Sequence, residues 1–261
     1  MIEILQWTTL IVCAAATLAR IPSALRGRNR SLFLIFLLAT AAAILSMEQF
    51  YLPADRAVGG MNMANVLLRL IIFATIHLIA LRVSKAFGAA EAHRLISGPA
   101  GLTVLGIFAA ALVGIFAMMD PAPSSLGLAD VGDRSARNAA LLPFYWAAAR
   151  GYPAYLALAL LPTLVRAVTS SLPSLVRTGA ALMAAGAVAT ATGFLLEFIG
   201  PSLDLLRSAV NNAAVVFFIL GLATVWLARV RAPGLSPAGR RPGKQQRSRP
   251  RKRPGTSHTD G

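Results

Sequence analysis

Apolar residues are grouped into seven long stretches, separated by shorter segments that carry most of the charge. A helix needs about 20 apolar residues to cross about 30 Å of hydrocarbon. Unpaired backbone polar groups are costly in lipid, so each stretch predicts an α-helix. We therefore predict an all-α, polytopic membrane bundle of seven transmembrane helices over residues 1–230. The stretches are Ile2–Leu18, Leu32–Phe50, Ala64–Leu81, Gly101–Met119, Ala139–Val165, Thr178–Ile199 and Ser208–Ala228.

Composition agrees with this pattern. Hydrophobic residues make up 56% of the chain and charged residues 13%, against about 25% charged in soluble proteins. We predict a multi-pass protein of the cell membrane, in contact with the lipid bilayer. Residues 231–261 are rich in Pro, Gly and Arg, which predicts a disordered basic tail on the cytoplasmic side. Such a tail favours anionic lipid, and we expect no nucleic-acid partner, since only a phosphate interaction would support one.

The basic residues predict the orientation of the chain, because Lys and Arg favour the cytoplasmic side. The tail from Arg229 and the loops that follow the first, third and fifth spans carry 19 of the 25 basic residues, and the opposite loops carry four. Arg69 and Arg150 lie inside spans. We predict that the N-terminus is outside and the C-terminus is cytoplasmic.

Small residues and prolines mark the helix-packing surfaces. Gly179, Gly186 and Gly193 recur every seven residues in the sixth span, and Gly106, Ala110 and Gly114 repeat every four in the fourth. Both series predict seams where backbones approach closely, and we expect the first to bring the sixth span close to Arg150. Three prolines in the fifth span predict a kink or break near Arg150.

An internal repeat is a further hypothesis. A shift of 146 to 149 residues lays the first three spans on the last three, which predicts a parallel 3+1+3 arrangement. After the second and sixth spans, Glu48, Pro53 and Asp55 fall on Glu197, Pro201 and Asp204. Near the start of the third and seventh spans, Asn65 falls on Asn212.

Polar residues inside spans are costly and define the candidate site. Arg150 either pairs with Glu197 or binds an anion, and Arg69 either snorkels to the outer surface or forms a pair. His77 either relays protons or bonds to a neighbouring helix, which is the favoured interpretation. We predict one outer pocket with Glu48, Arg69, Arg150, Glu197 and Asn212. The candidate substrate-binding residues are Arg150, Glu197, Asn65, Asn212, Arg69, Glu48 and Tyr152.

Motifs for catalysis are not found. The sequence has no H-E-x-x-H, no G-x-S-x-G and no phosphate-binding G-x-x-x-x-G-K-[ST]. A retinal Schiff base needs a lysine inside the membrane, and Lys85, Lys244 and Lys252 all lie in loops or the tail. The single Cys13 excludes an internal disulfide and a cysteine-based metal site. We therefore predict no enzyme, no cofactor, no catalytic residue and no metal site.

Two resemblances follow from these motifs. The loop Arg20-Ile-Pro22…Arg26…Arg30, the outer Pro53-x-Asp55 and Gly59-Gly60-x-Asn62-x-x-Asn65-x-Leu67 resemble an uncharacterised actinobacterial family of seven-helix integral membrane proteins labelled as transporters. The 3+1+3 arrangement is similar in architecture to the sugar-facilitator and PQ-loop transporters. That similarity implies substrate contacts at Asn65 and Asn212, although the chain has no Pro-Gln dipeptide.

The leading functional hypothesis is a transporter or facilitator of a small polar or anionic solute. The alternative is a non-transporting membrane sensor or anchor that recruits a cytoplasmic partner, and an intramembrane enzyme ranks third. Transport predicts a water-accessible path to Arg150, whereas an anchor predicts a dry bundle.

The basic bias makes the topology testable. We expect a reporter fused after Gly261 to be cytoplasmic, and a tag inserted in the Asp120–Arg137 loop to be reached by protease from outside intact cells. The opposite accessibility of the two positions would contradict the seven-span orientation.

Overall fold

The computed structural model describes residues 2–27, 30–199 and 203–231, and its regular elements there are all helical. A short 3-10 helix, Leu126–Leu128, precedes the seventh α-helix. The predicted tail lies outside the described residues from position 232 onward. The α-helices are α1 (Ile2–Leu25), α2 (Arg30–Leu45), α3 (Glu48–Ala57), α4 (Met63–Ala86), α5 (Ala90–Ser97), α6 (Pro99–Met118), α7 (Val131–Arg134), α8 (Ala136–Thr169), α9 (Ser174–Leu196) and α10 (Asp204–Arg231).

The helices confirm a multi-pass, all-α membrane fold. Helices α1, α4, α6, α8, α9 and α10 are each long and apolar enough to cross a membrane. The bent pair α2–α3 adds a seventh span if it is counted as one. The orientation remains a prediction. We call the end that holds the start of α4 and the end of α9 the outer end, because it is outside on the predicted topology.

The predicted second span, Leu32–Phe50, is not one helix. Helix α2 ends at Leu45, and α3 leaves it at an angle of 94°. The Ser46 hydroxyl donates back to the Ala42 carbonyl, and Met47 is extended, with φ −102° and ψ 126°. At 1.5 Å per residue, the 16 residues of α2 span about 24 Å. The predicted span is therefore too long at its C-terminal end, because its last residues belong to α3, which runs in a different direction.

Of the kink or break predicted in the fifth span, the break is wrong and the kink stays a prediction. Helix α8 runs without interruption for 34 residues through Pro143, Pro153 and Pro162. Its length is about 51 Å at the usual rise, well above the hydrocarbon thickness of about 30 Å. Part of α8 therefore extends past the helices beside it.

The N-terminal helices pack on one another in chain order, and so do the C-terminal helices. Helix α2 lies between α1 and α4, and α9 lies between α8 and α10. Helices α4 and α6 both pack on α8, which joins the two halves. The two triplets predicted to form a repeat therefore both pack as rows, but their equivalence remains a prediction.

Buried side chains form the core where α4, α6 and α8 meet. Tyr152 and Phe73 are the aromatic centre of one cluster, with ring centroids 5.4 Å apart. Tyr145 and Phe116 occupy a second cluster nearer the outer end, with centroids 6.1 Å apart. Gly151 lies between these tyrosines because a Cβ there would come within 2.0 Å of the Phe108 ring of α6. This contact explains why α8 carries a glycine in mid-helix.

The glycine seam of the sixth span is confirmed as a packing surface, but it faces α10. A Cβ on Gly179 would lie 2.6 Å from Val225 and 2.9 Å from the Gly221 carbonyl oxygen. A Cβ on Gly186 would lie 3.0 Å from Phe218. We predicted that this seam would bring α9 close to Arg150 of α8. That prediction is wrong, because the glycines of the seam face α10. The close contact of α9 with α8 uses its other residues.

The small-residue series of the fourth span does not pack on another described helix. A Cβ on Gly106 or on Gly114 would meet no described atom within 4 Å outside its own helical turn. The prediction of a packing seam within the chain is wrong here. Four-residue spacing places small residues on one face of a helix, but it does not determine whether another helix packs on that face.

The two series provide a matched stability test. We expect Gly179→Ala to destabilise the protein by about 1–3 kcal/mol, because the added methyl group meets backbone of α10. Gly106→Ala adds the same methyl group where there is open space, so it should have no destabilising effect. Thermal unfolding of the two purified variants in one detergent measures the difference, and equal melting temperatures would contradict the assigned seam.

Candidate functional site

A buried carboxylate joins three helices at the outer end. Glu197 follows the last residue of α9, and its side chain is 2% exposed. Its Oε1 atom forms ion pairs with Arg150 of α8 and, at 3.3 Å, with Nε of Arg207 of α10. We call these three residues the arginine–glutamate cluster. The predicted pairing of Arg150 with Glu197 is confirmed.

Sequence reasoning missed Arg207, which was assigned to an outer loop. Its Nη2 atom also donates to the carbonyl oxygens of Leu196 and Ile199, both at 3.2 Å. A helix leaves its last carbonyls without intrahelical partners, and arginine is a suitable donor to them. The signal was available, because only a short connection separates Glu197 from Arg207 in the sequence.

The position of the cluster defines the depth of Arg150. Its partners are the residue after α9 and a residue in the first turn of α10. Arg150 therefore lies level with the outer ends of α9 and α10, and not opposite their middle. Because α8 is so long, a residue 14 positions from its start still faces the end of a neighbouring helix.

Trp146 connects this cluster to α4. Its ring centroid is 4.7 Å from the guanidinium carbon of Arg69 and 6.0 Å from that of Arg150. Both distances are within the range of cation–π attraction. Arg69 therefore packs on α8 through an aromatic ring. This contact favours the pairing interpretation of Arg69 over snorkelling to the surface.

Arginine outnumbers its carboxylate partners among the described side chains around Glu197. Arg69, Arg150 and Arg207 supply three guanidinium groups, and Glu197 supplies one carboxylate. Both ion pairs found among the described side chains in this region involve Glu197. Arginine guanidinium groups suit carboxylate and phosphate groups, since their donors form a planar fork. The arrangement is therefore suited to an anion.

Asn65 and Arg69 face α8 one turn apart on α4. Asn65 is 1% exposed, and its Oδ1 atom accepts a hydrogen bond from the Tyr145 hydroxyl at 2.7 Å. Its Nδ2 atom and the Nε atom of Arg69 are both buried and have no hydrogen-bond partner in the described structure. Both residues are among the predicted substrate-binding residues, and binding of a substrate by them stays a prediction.

A polar network that sequence analysis did not predict holds the loop before α7 against the start of α4. Asn62 Oδ1 accepts from the Tyr51 hydroxyl and from the Ser125 amide, both at 2.8 Å. Asn62 Nδ2 donates to the Pro121 and Pro123 carbonyls. We call this network the Asn62 latch. It depends on a left-handed backbone at Asn62, with φ 60°, a conformation that asparagine adopts more readily than most residues.

Asp55 supports the latch from α3. Its two carboxylate oxygens accept from the backbone amides of Asn62 and Ala64, both at 2.8 Å, and from the Ser124 hydroxyl. A carboxylate at the start of a helix accepts hydrogen bonds from the free backbone amides and interacts favourably with the positive end of the helix dipole. Asp55 is fully buried, so it is a structural residue and was not identified as one from the sequence.

His77 bonds to a neighbouring helix, as the favoured interpretation predicted. Its Nδ1 atom lies 2.6 Å from the Tyr152 hydroxyl of α8. The Tyr152 ring also stacks on Tyr155, whose hydroxyl donates to the Leu95 carbonyl at 2.7 Å. Tyr152 thus contacts His77 and Tyr155 and does not belong to the arginine–glutamate cluster. Proton relay by His77 remains a prediction.

Glu48 and Asn212 do not join the other predicted site residues. Glu48 is exposed and lines an open groove of about 600 Å³ with Gln6, Gln49 and Arg56. Glu48 lies in this groove because it is the first residue of α3, which turns away from α2. Asn212 is also exposed, because Val210 and Ala214 occupy the face of α10 turned to α9. The predicted single pocket is therefore wrong for these two residues.

The chain matches no known family model, no characterised protein and no solved structure. Of the two resemblances suggested by the sequence, only the multi-helix membrane architecture is supported.

The cluster predicts an unequal effect of removing its members. We expect Glu197→Ala to destabilise the protein by about 1–3 kcal/mol, because Arg150 and Arg207, which are both partly buried, would lose the carboxylate that they share. Arg150→Ala should have a smaller effect, since Glu197 keeps Arg207 as its partner. Unfolding measured by circular dichroism in detergent tests this order, and a greater loss for Arg150→Ala would contradict it.

Proposed function

We propose that this protein binds a small anionic solute at the arginine–glutamate cluster and carries it across the membrane. The supporting observation is the charge balance of the cluster, in which Arg150 and Arg207 share the one carboxylate of Glu197 among the described side chains. A cation that is partly buried without a matching carboxylate is costly in a membrane, and an anionic solute lowers that cost. The excess of arginine therefore favours an anionic substrate over a neutral one.

Exposure indicates how the solute enters. The Arg150 side chain is 29% exposed and that of Arg207 is 20% exposed, whereas Glu197 is 2% exposed. An incoming anion reaches the two arginines from the accessible side, while Glu197 contacts them from the buried side. Glu197 holds the arginines in place before the solute arrives, and it then shares them with the solute.

Anion binding is tested first on the purified full chain. We use acetate, succinate, phosphate and sulfate as probes and measure the rise in melting temperature with concentration, since ligands that bind the folded state stabilise it. Arg207→Gln should weaken binding of the best probe by about tenfold or more, because a hydrogen bond to a charged group contributes about 1.5–3 kcal/mol.

Arg56→Gln is the matched control. It removes the same charge from an exposed position of α3, outside the cluster, so it should leave binding unchanged. Equal weakening by the two variants would show a general charge effect and would contradict the proposed site.

Transport is tested separately in proteoliposomes loaded with buffer and supplied with the radiolabelled form of the best probe. We expect uptake by the parent chain and its loss in Arg150→Ala. Binding without uptake would contradict transport and favour the alternative, a membrane sensor that detects an anion. Absence of both would favour the anchor function.

A further inference from the structure

Arg69 differs from the other two arginines of this region in having no carboxylate partner. Among the side chains that the structure describes, the ion pairs of Arg150 and Arg207 involve Glu197, and Arg69 has none. Its Nε atom is buried and makes no hydrogen bond there. Trp146 attracts its charge but offers no acceptor to an N–H group, because indole nitrogen only donates.

Asn65 provides a second donor with the same deficiency. It precedes Arg69 by four residues on α4, so the two side chains share one face of the helix. Both point to α8, since Asn65 bonds to Tyr145 and Arg69 stacks on the adjacent Trp146. The Nδ2 atom of Asn65 is buried and unpartnered in the described structure. Buried donors are normally satisfied, so this face requires an acceptor.

The nearest acidic residue on α3 does not supply it. Both oxygens of Asp55 accept hydrogen bonds from Asn62, Ala64 and Ser124. Tyr145 does not supply it either, because its hydroxyl bonds to Asn65 Oδ1, and neither Asn65 Nδ2 nor Arg69 Nε has a hydrogen-bond partner in the described structure. The missing acceptor must also be small. Asn65 is 1% exposed and Tyr145 is fully buried, so the two donors lie among packed side chains.

We propose that Asn65 and Arg69 form a buried site for a small inorganic monovalent anion of the halide type. The anion accepts from Asn65 Nδ2 and Arg69 Nε and neutralises the guanidinium group beside Trp146. A halide meets these requirements because it is a non-directional acceptor with one negative charge and little bulk. The site does not depend on the proposed transport, since it uses α4 and not Glu197 or Arg207.

Trp146 allows a direct test, because iodide and bromide quench indole fluorescence on contact. Trp7 and Trp226 are 39% and 65% exposed and are replaced by Phe, which leaves Trp146 as the only tryptophan. The full-length protein is titrated with sodium iodide in detergent at constant ionic strength, with sodium gluconate as the balancing salt. We expect quenching that saturates and is reversed by chloride.

Variants assign the site. Asn65→Ala and Arg69→Gln should each weaken the saturable quenching about tenfold or more, whereas Arg207→Gln should leave it unchanged. Asn65→Ala keeps all charges, so it remains informative if Arg69→Gln does not fold. Quenching that rises linearly without saturation, or that is unaffected by chloride, would overturn the proposal. So would loss of saturation in Arg207→Gln with retention in Asn65→Ala, because the halide would then occupy the arginine–glutamate cluster.

Discussion

The arrangement of the outer end depends on one carboxylate, that of Glu197. It holds an arginine from α8 and an arginine from α10 at the point where α9 ends. The Gly179 seam brings α9 and α10 together along their length, but glycines alone allow sliding. The ion pairs fix the register, because a shift of one turn, about 5.4 Å, would leave two charges unpaired. Arg150 in turn is positioned next to Trp146, and Trp146 contacts Arg69.

Hydrophobicity along the chain predicted the helices well because a membrane helix satisfies its backbone within one segment. That property is local, and six of the seven apolar stretches correspond to α1, α4, α6, α8, α9 and α10. The turn at Ser46 was not predicted, because α3 is fixed by distant contacts. Tyr51 and Asp55 are fully buried and bond to the start of α4. The predicted break in α8 failed for a related reason, since packing on α4, α6 and α9 supports the helix through its prolines.

The candidate site was predicted in part. Arg150 and Glu197 were found because charges near apolar spans are few, and a buried charge needs a partner. Glu48 and Asn212 were chosen by aligning the two triplets, and an alignment says nothing about helix faces. Each residue turns the side chain by about 100°, so Asn212 is exposed although Ala214, two positions later, is buried against α9. Arg207 was missed because it was assigned to a loop, and the free carbonyls at the end of α9, which accept its hydrogen bonds, were not considered.

The three arginines are held by two different interactions, and this difference determines how each responds to an anion. Arg150 and Arg207 share a carboxylate, so a solute must compete with Glu197 for donors that are already paired. Arg69 is held by an aromatic ring that accepts no conventional hydrogen bond, so an anion there adds an interaction and displaces none. Competition favours rapid exchange, whereas an added interaction favours retention. The two proposals together therefore assign an exchangeable anion site and a structural one to the two sides of Trp146.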